Sequence, residues 1–105
     1  MKYFKGIIQC KFCGKNYNYR FERQAVFICS GLKNYGKSFC PDSPRIKLDD
    51  LVYIINKHLE LQGKEYSLEK TKLFIRDIKV RPGWEIVINY KDGTKSIWTP
   101  NEMIF

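Results

Sequence analysis

Four cysteines, all within residues 10–40 of this 105-residue chain, are the side chains best suited to chemistry. Cys10 and Cys13 share a tight C-x2-C turn, and Cys29 and Cys40 follow separately. Such a turn brings two sulfurs to one metal ion and leaves backbone N–H groups free to point at the thiolates. Gly14 suits the end of the turn, where the backbone often needs a positive φ. The spacing predicts one structural zinc ion bound by all four cysteines, with no open position for water or substrate.

Iron in a rubredoxin-like site and a pair of disulfides are the alternatives for these cysteines. Only one cysteine pair forms a tight knuckle, which disfavours iron. Disulfides belong to secreted proteins, but the segment MKYFKGIIQC has too short an apolar stretch for a secretory signal. No apolar run approaches the roughly 18 residues of a membrane span. We therefore expect a cytoplasmic protein, in which a metal site is the first interpretation of four thiols. His58, the sole histidine, is expected on a helix as a packing or surface residue.

Short β-prone runs are expected to position the cysteines. Residues 3–9 form an apolar run that predicts a strand leading into the first knuckle. Residues 16–21 alternate with period two, which places three aromatic side chains on one face, namely Tyr17, Tyr19 and Phe21. Residues 25–29 return to the third cysteine, so the two runs predict a hairpin attached to the metal. Residues 30–40 contain two glycines and predict a loop that closes the site.

The chain after residue 47 has the pattern of a helix followed by strands. An amphipathic helix is predicted over about residues 49–60, with Asp49 and Asp50 at its N-terminus and Gly63 beyond its end. Its apolar face consists of Leu51, Val52, Ile55 and Leu59, which we expect to lie on a sheet formed by the C-terminal strands. A second short helix is predicted to begin at Ser67, the expected N-cap residue.

Three β-prone runs end the chain, at residues 75–81, 84–90 and 94–99. The dipeptide Asp92-Gly93 is a strong hairpin signal, so an antiparallel meander is predicted. The expected fold class is α+β, a small zinc β-ribbon with antiparallel strands, one amphipathic helix and a C-terminal meander. Residues 1–47 would form a zinc-ribbon lobe, and residues 48–105 would complete the same domain.

The positive charge is concentrated in the first half of the chain. Residues 1–47 contain ten Lys/Arg and two Asp/Glu, which gives the whole net charge of +8, and residues 48–105 contain nine of each. A solvated basic face is the simple explanation for charge alone, but here the cations alternate with asparagine and tyrosine, a mixture that suits phosphates and base edges. The candidate DNA contacts are Lys11, Lys15, Asn18, Arg20, Arg23, Lys33 and Lys37.

Three segments together resemble the zinc β-ribbon domain of large serine recombinases, the phage integrases and mobile-element transposases of bacteria. They are GIIQCKFCGKNY, FICSGLKNYGKSFC and RIKLDDLVYIINKHL, and the tail KLFIRDIKVRPGWEIVINYKDG is similar to the strands that close the same domain. The resemblance implies that Cys10, Cys13, Cys29 and Cys40 bind zinc. It also implies double-stranded attachment-site DNA as the partner, with a role in DNA recombination and integration.

The family pattern is incomplete in this chain. The catalytic serine of the family lies in a separate resolvase domain, and no serine here pairs with an activating base, so we expect no enzymatic activity from these residues. A long coiled coil usually precedes the last strands in the family, whereas here only LELQGKEYSLEK occupies that position.

Two other functions stay open. One is a zinc ribbon that contacts a protein, such as another recombinase subunit or a directionality factor, through a surface near Trp84 and Trp98, although burial of both rings is the simpler expectation. The other is a redox or metal-trafficking protein with an exchangeable knuckle.

Overall fold

The computed structural model describes residues 2–41, 43–100 and 102–104, whose strands form two sheets. The strands are β1 (Ile8–Cys10), β2 (Tyr17–Glu22), β3 (Gln24–Cys29), β4 (Ile46–Lys47), β5 (Ile75–Arg81), β6 (Glu85–Tyr90), β7 (Lys95–Thr99) and β8 (Glu102–Ile104). The helices are α1 (Ser30–Tyr35), α2 (Leu48–Leu61) and α3 (Thr71–Phe74), with a 3-10 turn at Leu68–Lys70. The predicted α+β class is confirmed.

The larger sheet has the order β1-β5-β6-β7-β8 and contains the predicted antiparallel meander. Gly93 has a φ of +89° at the turn between β6 and β7, which confirms the expected hairpin. The sequence did not predict that β1 joins this sheet. It pairs in parallel with β5, and Ile8 lies opposite Ile78. The first cysteine therefore lies at the end of a strand in the larger sheet.

The smaller sheet has the order β2-β3-β4, and its first two strands form the predicted hairpin. Arg23 alone connects them, with a φ of +62°. Tyr17 lies opposite Cys29 in the register, which brings the start of β2 to the third cysteine. Tyr17 is buried and Tyr19 packs edge-on against Phe27, at 5.9 Å between ring centroids, so the first part of the predicted aromatic face belongs to the core. Phe21, the third aromatic residue of that face, is 72% exposed beside the hairpin turn.

The predicted strand over residues 3–9 is shorter than expected. Residues 3–7 form turns, and β1 begins only at Ile8. Gly6 has a φ of +79°, and the Ile7 N–H donates to the Phe4 carbonyl at 3.2 Å. This turn buries the Phe4 ring, which contacts Phe27 at 5.4 Å between centroids.

The predicted loop over residues 30–40 is wrong in its first half, which is helix α1. The second short helix exists as the 3-10 turn followed by α3, and Ser67 occupies the N-cap position of that turn without a side-chain capping hydrogen bond.

Helix α2 extends one residue beyond the predicted bounds at each end. Its C-terminus is a Schellman motif, in which the Lys64 N–H donates to the Leu59 carbonyl at 2.9 Å and the Gly63 N–H donates to the Glu60 carbonyl at 3.0 Å. Gly63 has the positive φ, +72°, that this motif requires.

The apolar face of α2 is wider than predicted. Leu51, Ile55 and Leu59 are buried as expected, but Val52 is only partly buried and Ile54 is fully buried. The helix contacts β3 and β4 as well as β7, so the expectation that it lies on the C-terminal meander alone was wrong. A helix between two sheets needs apolar residues over a broader arc. Within the described part of the chain, no helix has the length and apolar character required to span a membrane.

Candidate metal centre and basic surface

The structure brings the four cysteine sulfurs into one cluster. Every pair of Sγ atoms lies within 4.8 Å, although the residues come from β1, the turn after it, the end of β3 and the segment after α1. The Sγ atoms of Cys10 and Cys40 are 3.6 Å apart, those of Cys13 and Cys29 are 3.4 Å apart, and those of Cys29 and Cys40 are 3.9 Å apart. None of the four forms a disulfide.

These separations fit a tetrahedral metal site. Four sulfurs at about 2.3 Å from one ion must lie about 3.8 Å from each other, the edge of the tetrahedron. The observed distances of 3.4, 3.6 and 3.9 Å lie close to that value. The cluster can hold a metal ion, and Cys10, Cys29 and Cys40 are buried while Cys13 is partly exposed.

The backbone around the cluster supplies hydrogen bonds of the kind that thiolates need. At the first knuckle, the Gly14 N–H donates to the Cys10 carbonyl at 2.8 Å and Gly14 has a φ of +77°, as its position in the turn predicts. Cys29 occupies the N-cap position of α1, and the chain turns there directly into the helix without a side-chain capping hydrogen bond. Burial raises the pKa of the Cys29 thiol and outweighs the nearby backbone N–H groups of Leu32 and Gly31, which act to lower it. A helix therefore replaces the first half of the predicted loop, with its N-terminus beside a cysteine sulfur.

The protonation of the thiols differs across the cluster. Burial raises the pKa of Cys40 to about 12, and burial is also the largest cause of the raised pKa of Cys29. Burial acts in the same direction on Cys13, but the hydrogen bond from the Lys15 backbone N–H and those with the other thiols together lower its pKa. In the metal-free chain, the lowered pKa of Cys13 means that its thiol ionises more readily than those of Cys29 and Cys40.

Two hydroxyl groups and one glycine near the cluster were not anticipated. The hydroxyls of Tyr17 and Ser43 are buried and form no hydrogen bond of normal geometry with other described residues. Both hydroxyls lie near the cysteines. Burial is the largest cause of the raised pKa of Tyr17, followed by the charges of the neighbouring thiolates, while the Ser43 hydroxyl acts to lower the pKa of Cys40. Cysteines that are bound to a metal are thiolates, and a thiolate can accept a hydrogen bond from either hydroxyl. A Cβ atom at Gly31 would lie 2.8 Å from the Cys13 Sγ, so any larger residue at this position would displace the sulfur or the helix.

The predicted DNA contacts are all exposed, but the structure separates them into two groups. Lys11 and Lys15 flank the first knuckle, and Lys33 and Lys37 lie on or just after α1; we call these four lysines the metal end. Asn18 and Arg20 lie along β2, on the face opposite Tyr17 and Tyr19. Arg23 lies in the turn between β2 and β3, which we call the hairpin tip. The six residues of β2 separate the two ends by about 20 Å.

Arg20 differs from the other candidate cations in having an acidic partner. It pairs with Glu22 at 3.8 Å, and Glu22 also pairs with Arg45. No acidic partner lies beside the four lysines of the metal end or beside Arg23 in the part of the chain that the structure describes. Four thiolates with one zinc ion would add a charge of −2 at the metal end, so the four lysines would leave it with an excess of two positive charges.

The remaining residues noted in the sequence have clear places. His58 is buried on α2, stacks on Tyr90 at 3.8 Å between ring centroids and lies 2.8 Å from the Thr94 hydroxyl, so it is a packing residue, as expected. Trp98 is partly buried, but Trp84 is 51% exposed, which corrects the expectation that both tryptophans are buried. Trp84 has a φ of +64° in the turn before β6.

Comparisons of the chain with protein-family models, with curated proteins and with solved structures find no match.

Proposed function

We propose that this chain is a zinc-ribbon module that binds double-stranded DNA as part of a site-specific serine recombinase. The observation that carries the proposal is the metal end, where four exposed lysines without acidic partners among the described residues outnumber the charge of −2 that a zinc ion with four thiolates would carry. Polyanions are attracted to such a surface, and phosphate contacts provide most of the affinity of non-specific DNA binding.

Zinc is the metal of this proposal. Four thiolates in a closed tetrahedral shell are a common structural zinc site, and their burial leaves no position for a substrate. Elemental analysis of the purified protein should give one zinc per chain. Stoichiometric iron with a visible thiolate charge-transfer absorption would contradict this assignment.

The hairpin of β2 and β3 is the part of the module proposed to enter the major groove, which is wide enough for a two-stranded ribbon. The distance of about 20 Å between hairpin tip and metal end corresponds to about six base pairs along the duplex. In this arrangement Arg23 or Arg20 contacts a guanine edge, while the lysines of the metal end contact phosphates. Arg20 would exchange its ion pair with Glu22 for the base.

Titration of labelled duplexes at about 50 and about 200 mM salt tests the proposal. Lys33→Ala should weaken binding to every sequence alike and reduce the salt slope by about one. Arg23→Ala should cost on the order of 1 to 3 kcal/mol on a preferred site and relax the sequence preference. Lys72→Ala, which removes an exposed lysine of α3, is the matched control and should leave both affinity and slope unchanged.

Absence of binding at low salt would reject DNA as the partner. Unchanged binding after neutralising the lysines of the metal end would reject the proposed surface. In either case the alternative of a zinc ribbon that contacts another protein would replace this proposal. Fast loss of the metal to a mild chelator would instead favour the metal-trafficking alternative.

A further inference from the structure

A groove passes between the turn before β6 and the segment that precedes β4. It consists of two adjoining clefts that share Pro44, Arg45 and Trp84. One cleft is completed by Ile86, Trp98 and Pro100, and the other by Leu32, Lys37, Pro41 and Ser43. We call this the tryptophan groove.

Both tryptophans of the chain line the groove. Trp84 exposes 51% of its surface, and Trp98 is partly buried in the same cleft. Trp84 has a φ of +64°, which is unusual for a bulky residue. The surrounding structure holds its backbone in this conformation and leaves half of the indole surface available to a ligand.

The charge of the described lining favours an anionic ligand. Among its described residues there is no aspartate or glutamate, whereas Lys37 and Arg45 are both cationic. Arg45 pairs with Glu22, which does not line either cleft, so Arg45 would exchange this carboxylate for a ligand anion, whereas Lys37 has no acidic partner among the described residues. The end of the groove at Leu32 and Lys37 opens toward the metal end, where the lysines lack acidic partners.

We infer that the tryptophan groove binds an unpaired strand of nucleic acid, with one base stacked on Trp84 and adjacent phosphates near Lys37 and Arg45. Each nucleotide offers both a flat π surface and a negative charge, which matches an aromatic wall beside cations. In an intact duplex these base faces are covered by stacking, so the ligand must be single-stranded or locally opened. The inference goes beyond duplex binding by the hairpin; Lys37 belongs to both surfaces, but Trp84 is not a proposed duplex contact, so the Trp84 variants test the groove alone.

The experiment is a titration of the metal-loaded full chain with an oligothymidine of about ten nucleotides, followed by tryptophan emission. Trp84 and Trp98 are the two tryptophans of the chain, so the emission reports on the groove. Saturable quenching is expected, and Trp84→Ala should weaken binding about 5- to 100-fold. Trp84→Phe should retain part of the affinity. Tyr53→Ala removes an aromatic side chain that is also 51% exposed, on α2, and should change nothing.

An abasic strand of the same length separates stacking from charge, because it keeps the phosphates and lacks the bases. It should bind more weakly than oligothymidine by a factor similar to that of the Trp84→Ala change. Trp84→Gly is a second variant that tolerates the left-handed backbone, and metal content and melting temperature verify that each variant is folded.

Absence of quenching, equal binding of the abasic strand, or an unchanged affinity of a folded Trp84 variant would each overturn the inference. Equally strong competition by polyglutamate would also overturn it, in favour of an acidic peptide. The Trp84 variants should bind duplex DNA like the parent chain, so failure here is distinguishable from failure of the duplex proposal.

Discussion

In the larger sheet, β5 buries Ile75, Ile78 and Val80, and β6 buries Ile86, Ile88 and Tyr90. In the smaller sheet, β4 is two residues long, and β3 buries Val26, Phe27 and Ile28 before it ends at the cysteine cluster. Aliphatic burial stabilises the larger sheet in the absence of any ligand, since each fully buried side chain contributes about 1.5 to 3 kcal/mol. The smaller sheet has fewer buried aliphatic side chains and carries a metal ligand at the end of β3, so we expect its stability to depend more strongly on a bound metal. The following predictions test this difference, beginning with the largest expected effect.

Replacing one ligand should unfold one sheet and spare much of the other. Cys29→Ser removes a buried ligand from the end of β3. Structural zinc contributes about 10 to 16 kcal/mol of apparent binding free energy, which is comparable with the free energy of unfolding of a whole domain. We expect loss of the metal and loss of amide protection in β2, β3 and β4, with protection retained in β6 and β7. Elemental analysis and hydrogen exchange measure the two effects.

Asn34→Ser is the control for this experiment, because Asn34 is exposed on α1 between the third and fourth cysteines. It should keep the metal and the melting curve of the parent. A Cys29→Ser protein with an unchanged melting curve would show that the smaller sheet does not need the metal.

The affinity for the metal should rise with pH. The raised pKa values of Cys29 and Cys40, the latter at about 12, mean that both thiols hold their protons at neutral pH without metal. Binding must release these protons, so each contributes about a tenfold gain in affinity per pH unit, and two contribute about 100-fold. Chelator competition at two pH values one unit apart measures this gain. A pH-independent affinity would mean that both sulfurs are already ionised before metal binds.

A smaller effect is expected at the glycine beside Cys13. The Cβ atom of Gly31→Ala would lie 2.8 Å from the Cys13 Sγ and 3.0 Å from the Phe39 ring, so the sulfur must shift. Overpacking of this kind costs about 1 to 3 kcal/mol, which corresponds to a metal affinity about 5- to 150-fold weaker. Chelator competition again provides the measurement.

Adding Phe39→Ala to Gly31→Ala relieves the contact with the ring but not the contact with the sulfur. The double variant should therefore recover little affinity. Ser38→Ala, at an exposed position nearby, should match the parent. Full recovery of the metal affinity in the double variant would show that the clash with the Phe39 ring, and not displacement of the Cys13 sulfur, weakens binding in Gly31→Ala.

Local patterns in the sequence predicted the elements whose determinants are local. The period of α2, the hairpin at Asp92-Gly93 and the positive φ of Gly14 all follow from residues close in sequence, and each is present in the structure. The convergence of the four sulfurs was also predictable, because their chemistry requires a common ion.

Features that depend on distant contacts were missed. The parallel pairing of β1 with β5 leaves no periodic signal, and the burial of Ile54 reflects a second sheet against α2 that the helix pattern alone does not reveal. Helix α1 was missed because its N-cap residue is a cysteine without a side-chain capping hydrogen bond, so the N-cap position carries none of the usual helix-start residues. Trp84 is exposed in a turn where its backbone is left-handed. The preceding Pro-Gly dipeptide predicts a turn but does not predict the conformation of the residue that follows it.

The pairing of β1 with β5 ties the metal site to a distant part of the chain. Gln9 accepts a hydrogen bond at 2.8 Å from the Lys79 ammonium group, 70 residues later in the chain. Cys10 is synthesised before the other three cysteines, and until β5 has left the ribosome its strand has local contacts such as the bridge between Gln9 and Asn16. Closing so long a loop carries an entropic cost that nearby contacts do not, and contacts between distant residues slow folding. The earliest ligand to be translated therefore lies on the strand whose pairing is completed last.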